Sequence, residues 1–230
     1  MVKISVLSKS QQRLLLALQK RKEREERGMF IIEGDKFVRD AGSLVEFTFT
    51  HRDTTIYREV ISTDAPQGTA AVARVPAWKM EDITSKPTIV VLDGIQDPGN
   101  VGTVLRACLG FNASLLLVES AEVTNPKTVR ASASAILRVP WKTVTRDEAP
   151  DLLASLNRPI FRLELKKGAV TPQEISPKDR ILIAGNEGKG IKLPVNGTSV
   201  AIPHNPALES LNVAMATSIV LYELCRTSKS

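Results

Sequence analysis

The spacing of hydrophobic and polar positions changes near Pro87. Beyond it, short uninterrupted apolar runs alternate with longer segments whose apolar residues recur at helical spacing. Such uninterrupted runs are typical of parallel strands that are covered on both faces. The predicted strands are residues 88–92, 114–118, 159–163, 180–184 and 199–202, and the predicted helices are residues 101–109, 127–136, 151–156 and 211–226. This alternation predicts an α/β fold with a parallel sheet.

The chain before Pro87 is divided into shorter segments. Three leucines fall on one side of a helical wheel, so residues 9–27 are predicted to form a single amphipathic helix. Short strands are predicted after it at residues 30–32, 44–50 and 70–75, and one further helix is predicted at residues 34–41. We therefore predict a small α/β domain at residues 1–84 and a larger domain at residues 85–230.

The composition narrows the class of protein. Hydrophobic residues make up 43% of the 230 residues and charged residues 24%, as in globular proteins, while the 4% of aromatic residues requires an aliphatic core. Only Cys108 and Cys225 are cysteines, which excludes a disulfide scaffold. With two histidines a Cys/His zinc site is not expected, and no metal is predicted, although a site made of carboxylates alone stays open.

The first residues contain no apolar stretch suited to a signal peptide, and no run approaches the ~18 apolar residues of a membrane span. A cytoplasmic protein without a membrane segment is expected. Its formal charge is +6, with 15 Lys+Arg against 12 Asp+Glu in residues 1–86 and the remaining +3 beyond them. Residues 9–27 alone carry +4. Two interpretations of this basic segment stay open, a solvated helix face and a phosphate-contacting surface.

Three loops rich in glycine, proline and asparagine follow predicted strands, at residues 93–107, 184–191 and 202–216. In an open α/β sheet, ligands bind beyond the carboxyl ends of the strands. The three loops therefore predict one composite ligand site. Neither the phosphate-binding pattern G-x-x-x-x-G-K-[ST] nor the dinucleotide pattern G-x-G-x-x-G fits them.

Together the three loops resemble the motifs of the SpoU/TrmH branch of the SPOUT RNA methyltransferases. The first motif is Asn100 with Arg106 six residues on, and the second is Gly185-Asn186-Glu187 with two further glycines. The third is Ile202-Pro203, a short loop and Glu209-Ser210-Leu211-Asn212-Val213. The basic segment followed by residues 30–34 is also similar to the L30e-like RNA-binding domain that many members carry.

The resemblance implies 2′-O-methylation of a ribose in structured RNA, with S-adenosylmethionine as the methyl donor. It favours 23S ribosomal RNA as substrate, with transfer RNA second. It further implies a C-terminal SPOUT domain with a trefoil knot, an L30e-like domain before it, and a homodimer that holds donor and RNA between protomers. The alternatives are a non-catalytic RNA-binding paralogue and a base-methylating SPOUT enzyme, which Ser210-Leu211-Asn212 disfavours.

The resemblance also assigns roles to residues of the three motifs. Arg106 would lie at the reacting hydroxyl and bridge it to an RNA phosphate, because a guanidinium keeps its proton and makes a poor base. Asn100 would fix the first loop or a substrate phosphate, and Glu187 would anchor loop geometry or Arg106. Ser210 and Asn212 would open the last helix, with Ser210 as its N-cap. The donor would contact backbone groups around Ile183, Gly185, Ile202 and Leu211.

The sequence departs from the family pattern in two places. In the segment Ser132-Ala133-Ser134-Ala135 the family usually has glycine at the third position, where this chain has Ser134. The N-terminal domain is also short, with a strand–helix unit missing or reduced between Phe49 and Thr63. His204 lies inside the third motif and is not expected to act as a base.

Overall fold

The computed structural model describes residues 7–61, 68–176, 179–186 and 188–227. Within them the strands form two sheets. The strands are β1 Met29–Glu33, β2 Val45–Phe49, β3 Ala70–Arg74, β4 Thr88–Asp93, β5 Ala113–Val118, β6 Trp141–Val144, β7 Ile160–Leu163, β8 Arg180–Gly185 and β9 Thr198–Val200. The helices are α1 Lys9–Ala17, α2 Arg21–Arg27, α3 Asp35–Ala41, α4 Tyr57–Val60, α5 Met80–Thr84, α6 Pro98–Gly110, α7 Pro126–Ser132, α8 Ala149–Ser155 and α9 Val213–Thr227.

The large sheet has six parallel strands in the order β6-β5-β4-β8-β7-β9. Every residue of β4 and β5 is buried, as their uninterrupted apolar runs predict. Alternate residues of β4 enter two different cores, with Val90 on the side of α6 and α9 and Val91 on the side of α8. The predicted α/β fold with a parallel sheet is confirmed.

The small sheet is antiparallel, in the order β1-β3-β2. One face packs on α1 and α4 through Leu15, Phe49 and Tyr57. The other face contributes Phe30 and Ile32 to the larger core shared with α6 and α7. Between β2 and residue 61 the chain forms only the four-residue helix α4, and residues 62–67 lie outside the described residues.

The prediction of one helix over residues 9–27 is wrong. The structure has two helices, because the chain turns sharply after Ala17 and the amide of Lys20 donates to the Ala17 carbonyl oxygen at 2.9 Å. The carbonyl groups exposed at this turn, those of Leu18 and Gln19, accept hydrogen bonds from the buried Arg24 guanidinium. A contact between side chain and backbone thus replaces the missing helical hydrogen bonds.

The other predicted helices also differ from the structure in their bounds. The helix expected at residues 127–136 ends at Ser132, because Ala133 and Ser134 take left-handed φ values of 46° and 70°, and a 3₁₀ turn follows at Ala135–Leu137. The last helix begins at Val213, later than predicted. Two short elements, β6 and α5, have too few apolar residues to be recognised in the sequence.

Candidate active site

The first motif lies at the start of α6, directly after the carboxyl end of β4. Asp97 caps this helix by accepting a hydrogen bond from the Gly99 amide at 2.7 Å, with Pro98 as the first helical residue. The helix then packs closely on α7, since a Cβ atom on Gly102 would lie 2.5 Å from the Ala131 Cβ and 2.6 Å from the Thr128 carbonyl oxygen. This packing fixes the direction of the helix that carries Asn100 and Arg106.

The first and third motifs meet through two asparagines. The Asn212 side-chain Nδ2 donates to Asn100 Oδ1 at 3.0 Å. The Asn212 Oδ1 accepts from the amides of Ala214 at 3.0 Å and Met215 at 3.2 Å, so Asn212 is the N-cap of α9. One amide group therefore caps a helix and links it to the start of another, although the two asparagines are 112 residues apart in sequence.

The structure corrects the expectation that Ser210 caps the last helix. Ser210 precedes Asn212 by two residues, is exposed, and lies beside a cavity rather than over the helix end. Asn212 alone accepts from the first-turn amides of α9 among the described side chains. The predicted site residue Glu187 lies outside the described residues.

Arg106 is exposed on α6. Its guanidinium makes no hydrogen bond or ion pair with the residues that the structure describes, whereas most other arginines of the large domain are engaged. An exposed guanidinium can be reached by an anion from outside the chain. Its accessibility matches the proposed contact with an RNA phosphate.

A cavity of about 230 Å³ lies at the carboxyl ends of β7, β8 and β9, next to the start of α9. Three of the four residues predicted to hold the donor line it, namely Gly185, Ile202 and Leu211. Apolar side chains form most of its wall, and its polar lining residues include Asn186 and His204. Apolar walls with few polar groups are typical of small-molecule sites.

Ile183, the fourth predicted residue, does not line this cavity. Its side chain is fully buried in the core on the α8 side of the sheet, with Ile89 and Val91. The contribution predicted for Ile183 concerned the backbone in its neighbourhood and stays a prediction. The adjacent Gly185 cannot carry a side chain, because a Cβ atom there would lie 2.4 Å from the Gly190 carbonyl carbon.

Asn186 folds the second motif into a compact loop. Its Oδ1 accepts from the amides of Gly188 at 3.0 Å and Lys189 at 3.2 Å, and its Nδ2 donates to the Gly94 carbonyl oxygen at 3.2 Å. The loop after β8 is thereby tied to the loop after β4. The resemblance places Asn186 in the second motif, but no role was predicted for it.

Asp93, at the end of β4, is a further residue that sequence reasoning missed. It is buried and accepts from the amides of Lys192 and Leu193, at 2.5 and 2.7 Å, and from Arg146 Nη2 at 2.8 Å. The carboxylate therefore holds the chain that leaves the second motif across the end of the sheet. Its position directly before the first motif was the available signal, since polar residues at the carboxyl ends of parallel strands tend to serve sites.

Glu164 lines the cavity at the end of β7 and was also missed. Burial alone would raise the pKa of this carboxyl group, but hydrogen bonds from Arg162, Ser199 and Lys166 outweigh it and lower the pKa to about 2. The cavity wall thus carries an ionised carboxylate at neutral pH. Arg162 and Lys166 also form ion pairs with this carboxylate, at 3.1 and 3.0 Å, so two cations of the chain already balance its charge.

Other kinds of site find less support in the described part of the chain. No group of three or more His, Cys, Asp or Glu side chains there is arranged to hold a metal ion. None of its helices combines the length and the apolar character needed to cross a membrane. Cys108 is buried, and burial raises the pKa of its thiol, so it serves packing.

A parallel sheet whose carboxyl-end loops enclose a cavity is the architecture of an α/β ligand-binding enzyme. A sequence model described as the SpoU rRNA Methylase family matches residues 87–222. The match spans more than half of the chain, and the protein belongs to this family of RNA methyltransferases. The resemblance seen in the three motifs is confirmed.

Two similar proteins match this chain over most of its length. It is 28% identical over 235 residues to the 23S rRNA (guanosine(2553)-2′-O)-methyltransferase RlmP of Bacillus subtilis, covering 90% of this chain and 92% of the relative. It is 29% identical to the 23S rRNA (adenosine(1067)-2′-O)-methyltransferase of Streptomyces laurentii, covering 74% of this chain and 65% of the relative.

A solved structure shares the whole architecture. An AdoMet-bound rRNA methyltransferase from Sinorhizobium meliloti superposes with a TM-score of 0.85 at 25% identity, covering 96% of this chain and 97% of the other. The likeness confirms the SPOUT-type α/β fold. The trefoil knot and the L30e-like character of the N-terminal part stay predictions.

Proposed function

We propose that this protein transfers the methyl group of S-adenosylmethionine to a ribose 2′-hydroxyl of 23S ribosomal RNA. The observation that carries the proposal is the contact between Asn100 and Asn212. It brings the first and third motifs together beside the cavity and leaves Arg106 exposed on the same helix as Asn100. The names of the two relatives and of the similar structure support the substrate and the donor.

The donor would be held by Gly185, Ile202 and Leu211, where apolar walls suit an adenine ring. The missing Cβ of Gly185 lets the backbone of Gly190 pack against it and shape this wall. When bound, S-adenosylmethionine supplies an electrophilic methyl group. Polar backbone groups at the strand ends would complete the donor site.

The residues of α6 would act on the RNA. A ribose hydroxyl is a poor nucleophile at neutral pH and gains most from being held in the attacking orientation. Arg106 would bind a phosphate of the substrate and orient the hydroxyl, while retaining its own proton. Asn100, fixed by Asn212, would keep the first loop in place.

We also propose the domain organisation and the assembly. Residues 1–84 would form a reduced L30e-like RNA-binding domain, and residues 85–230 a knotted methyltransferase domain. A homodimer is supported by Met215 and Tyr222, which lie seven residues apart on α9 and are both about half exposed. Because its substrate is ribosomal RNA, the protein would act in the cytoplasm.

Three cations of the basic segment, residues 9–27, are already paired within the chain, which bears on its proposed contact with RNA. Arg21, Lys22 and Arg27 of α2 each form an ion pair with a glutamate one turn away. Such exposed pairs contribute little to stability and can exchange for phosphate contacts. The segment therefore remains a proposed secondary contact, and the main proposal does not depend on it.

The test is a labelled-methyl transfer assay on 23S rRNA and on tRNA from cells that lack the gene. We expect transfer to 23S rRNA and a loss of about 100-fold or more for Arg106→Ala, because that variant loses the group that orients the substrate. Arg138→Ala, which removes an exposed arginine of the large domain outside the three motifs, serves as the matched control.

The outcomes separate the alternatives. Equal transfer by wild type and Arg106→Ala would contradict the site assignment. Transfer to tRNA alone would select the second substrate. Calorimetric titration with S-adenosylmethionine identifies a non-catalytic paralogue, which would bind no donor.

A further inference from the structure

A buried ion pair joins the N-terminal part of the chain to the large domain. Arg24 of α2 and Glu122, 98 residues later, have side chains that are only 4% and 8% exposed. The guanidinium donates from Nε and from Nη2 to the two carboxylate oxygens, each at 2.6 Å. This two-point contact fixes both distance and orientation between the two parts.

Both partners are held by further hydrogen bonds. The Nη1 of Arg24 donates to the Leu18 carbonyl oxygen at 2.8 Å and to that of Gln19 at 2.9 Å, at the turn between α1 and α2. Glu122 also accepts a short hydrogen bond from the Thr124 hydroxyl. The pair therefore has little freedom on either side.

The loop that carries Glu122 supports the first motif. Within it, the Ser120 hydroxyl accepts from the Ile95 amide at 3.0 Å, and the Ala121 amide donates to the Ile95 carbonyl oxygen at 2.7 Å. The Gln96 side chain donates to the Glu119 carbonyl oxygen at 2.6 Å. Ile95 and Gln96 lead directly into α6, so this loop determines where α6 begins.

A second connection runs through α7. The Thr128 hydroxyl donates to the Glu122 carbonyl oxygen at 3.0 Å, and the carbonyl group of the same Thr128 abuts Gly102 of α6. Displacement of Glu122 would therefore shift α6 both at its start and along the face that packs on α7. Arg24 thus connects to the helix of Asn100 and Arg106 by two continuous paths.

We propose that Arg24 is a positioning residue for methyl transfer, acting through Glu122 on the first-motif loop. The inference rests on the proposed function and extends it to a residue outside the methyltransferase domain. Stability alone is a poor reason for the pair, because apolar replacements of buried ion pairs are often neutral or stabilising. What an apolar pair cannot supply is the fixed two-point geometry.

The decisive variant is Arg24→Met combined with Glu122→Met, which removes both charges and leaves none buried alone. We expect it to fold, with kcat lower by about 10- to 100-fold because small displacements of reacting groups are costly. Its dissociation constant for S-adenosylmethionine, measured by calorimetry, should stay within about twofold, since the cavity lies at other strands. Hydrogen exchange at the Ile95 and Ala121 amides should accelerate.

The matched control is Arg74→Met with Glu46→Met, which removes an ion pair of the same composition within the small sheet. It should change neither kcat nor exchange at Ile95. If the double methionine variant does not fold, Arg24→Lys tests the same point, because lysine keeps the charge but cannot make the two parallel contacts. Intermediate losses in kcat and in protection are expected for it.

Unchanged kcat and unchanged exchange in a folded variant would overturn the proposal. A donor dissociation constant that rises by as large a factor as kcat falls would do the same, because it would indicate general damage to the domain. If the wild-type protein transfers no methyl group, the proposed function fails. The exchange rates at Ile95 and Ala121 would then still decide whether Arg24 controls the loop.

Discussion

At the scale of single residues, Ser134 shows how one departure from a family pattern is accommodated. Its φ of 70° lies in the left-handed region, which favours glycine. The serine gains a hydrogen bond that glycine could not make, because its hydroxyl donates to Asp40 Oδ2 at 2.6 Å. That hydrogen bond is the largest cause, and Lys36 the next, of a pKa for Asp40 below its ordinary 3.8. The unusual serine was visible in the sequence, but its partner, 94 positions away, was not.

Substitution of Ser134 separates strain from hydrogen bonding. Ser134→Gly and Ser134→Ala both lose the bond to Asp40, but only alanine keeps the left-handed strain, so it should be less stable than the glycine variant by about 1 kcal/mol. Both should be less stable than wild type in urea unfolding at pH 7. A folded-state pKa that is lowered adds stability above the ordinary pKa, so the deficit should shrink as pH falls below about 4. A glycine variant more stable than wild type would contradict this balance.

At the scale of elements, buried strands were predictable and element ends were not. The uninterrupted runs of β4 and β5 identify strands that are covered on both faces, and the structure has them there. The turn between α1 and α2 accepts hydrogen bonds from Arg24, whose guanidinium also binds the distant Glu122. Sequence patterns near the break do not contain that contact. The start of α9 likewise depends on which of two plausible caps, Ser210 or Asn212, reaches the helix amides.

Asn212 has two functions that a substitution can separate. Asn212→Asp still accepts from the first amides of α9 and adds a negative charge where a helix favours one, so the unfolding temperature should not fall. It cannot donate to Asn100, so kcat should fall by about tenfold or more. Asn212→Ala should lose the cap as well and lower the free energy of unfolding by about 1 kcal/mol.

The control for Asn212→Asp is Ser8→Asp. It places the same carboxylate at the cap of α1, where Ser8 accepts a hydrogen bond from the Gln11 amide. It should leave methyl transfer unchanged. Full activity in Asn212→Asp would mean that donation from Asn212 to Asn100 does not matter for the reaction.

At the scale of the whole molecule, the sheet order explains why the site is composite. β4 lies between β5 and β8, so loops separated by about 90 residues leave the sheet side by side. Alternation of strands and helices predicted a parallel sheet but did not give this order, because pairing between distant strands depends on the path of the chain. The motifs indicated that the loops meet, and the geometry adds Asp93 and Glu164, which lie outside the motifs.

The exposed apolar face of α9 is the surface at which we propose that two copies of the chain meet. Met215 and Tyr222 are 54% and 53% exposed, and a second copy of the chain would cover them in the proposed homodimer. Met215→Glu places a charge in that interface, while an acidic residue in the first turn favours the helix itself. We expect light scattering to give twice the 25.1 kDa chain mass for wild type and a single chain mass for the variant.

Leu16→Glu, at an exposed leucine of α1, should leave the dimer intact. Methyl transfer should fall with the dimer if RNA is held between protomers, while binding of S-adenosylmethionine to the cavity of each chain should be less affected. A wild-type protein of single chain mass, or a Met215→Glu protein that remains dimeric, would place the assembly on another face. Because the variant leaves the α9 cap and the contact between Asn100 and Asn212 in place, a loss of activity in a folded monomer would be due to the missing partner.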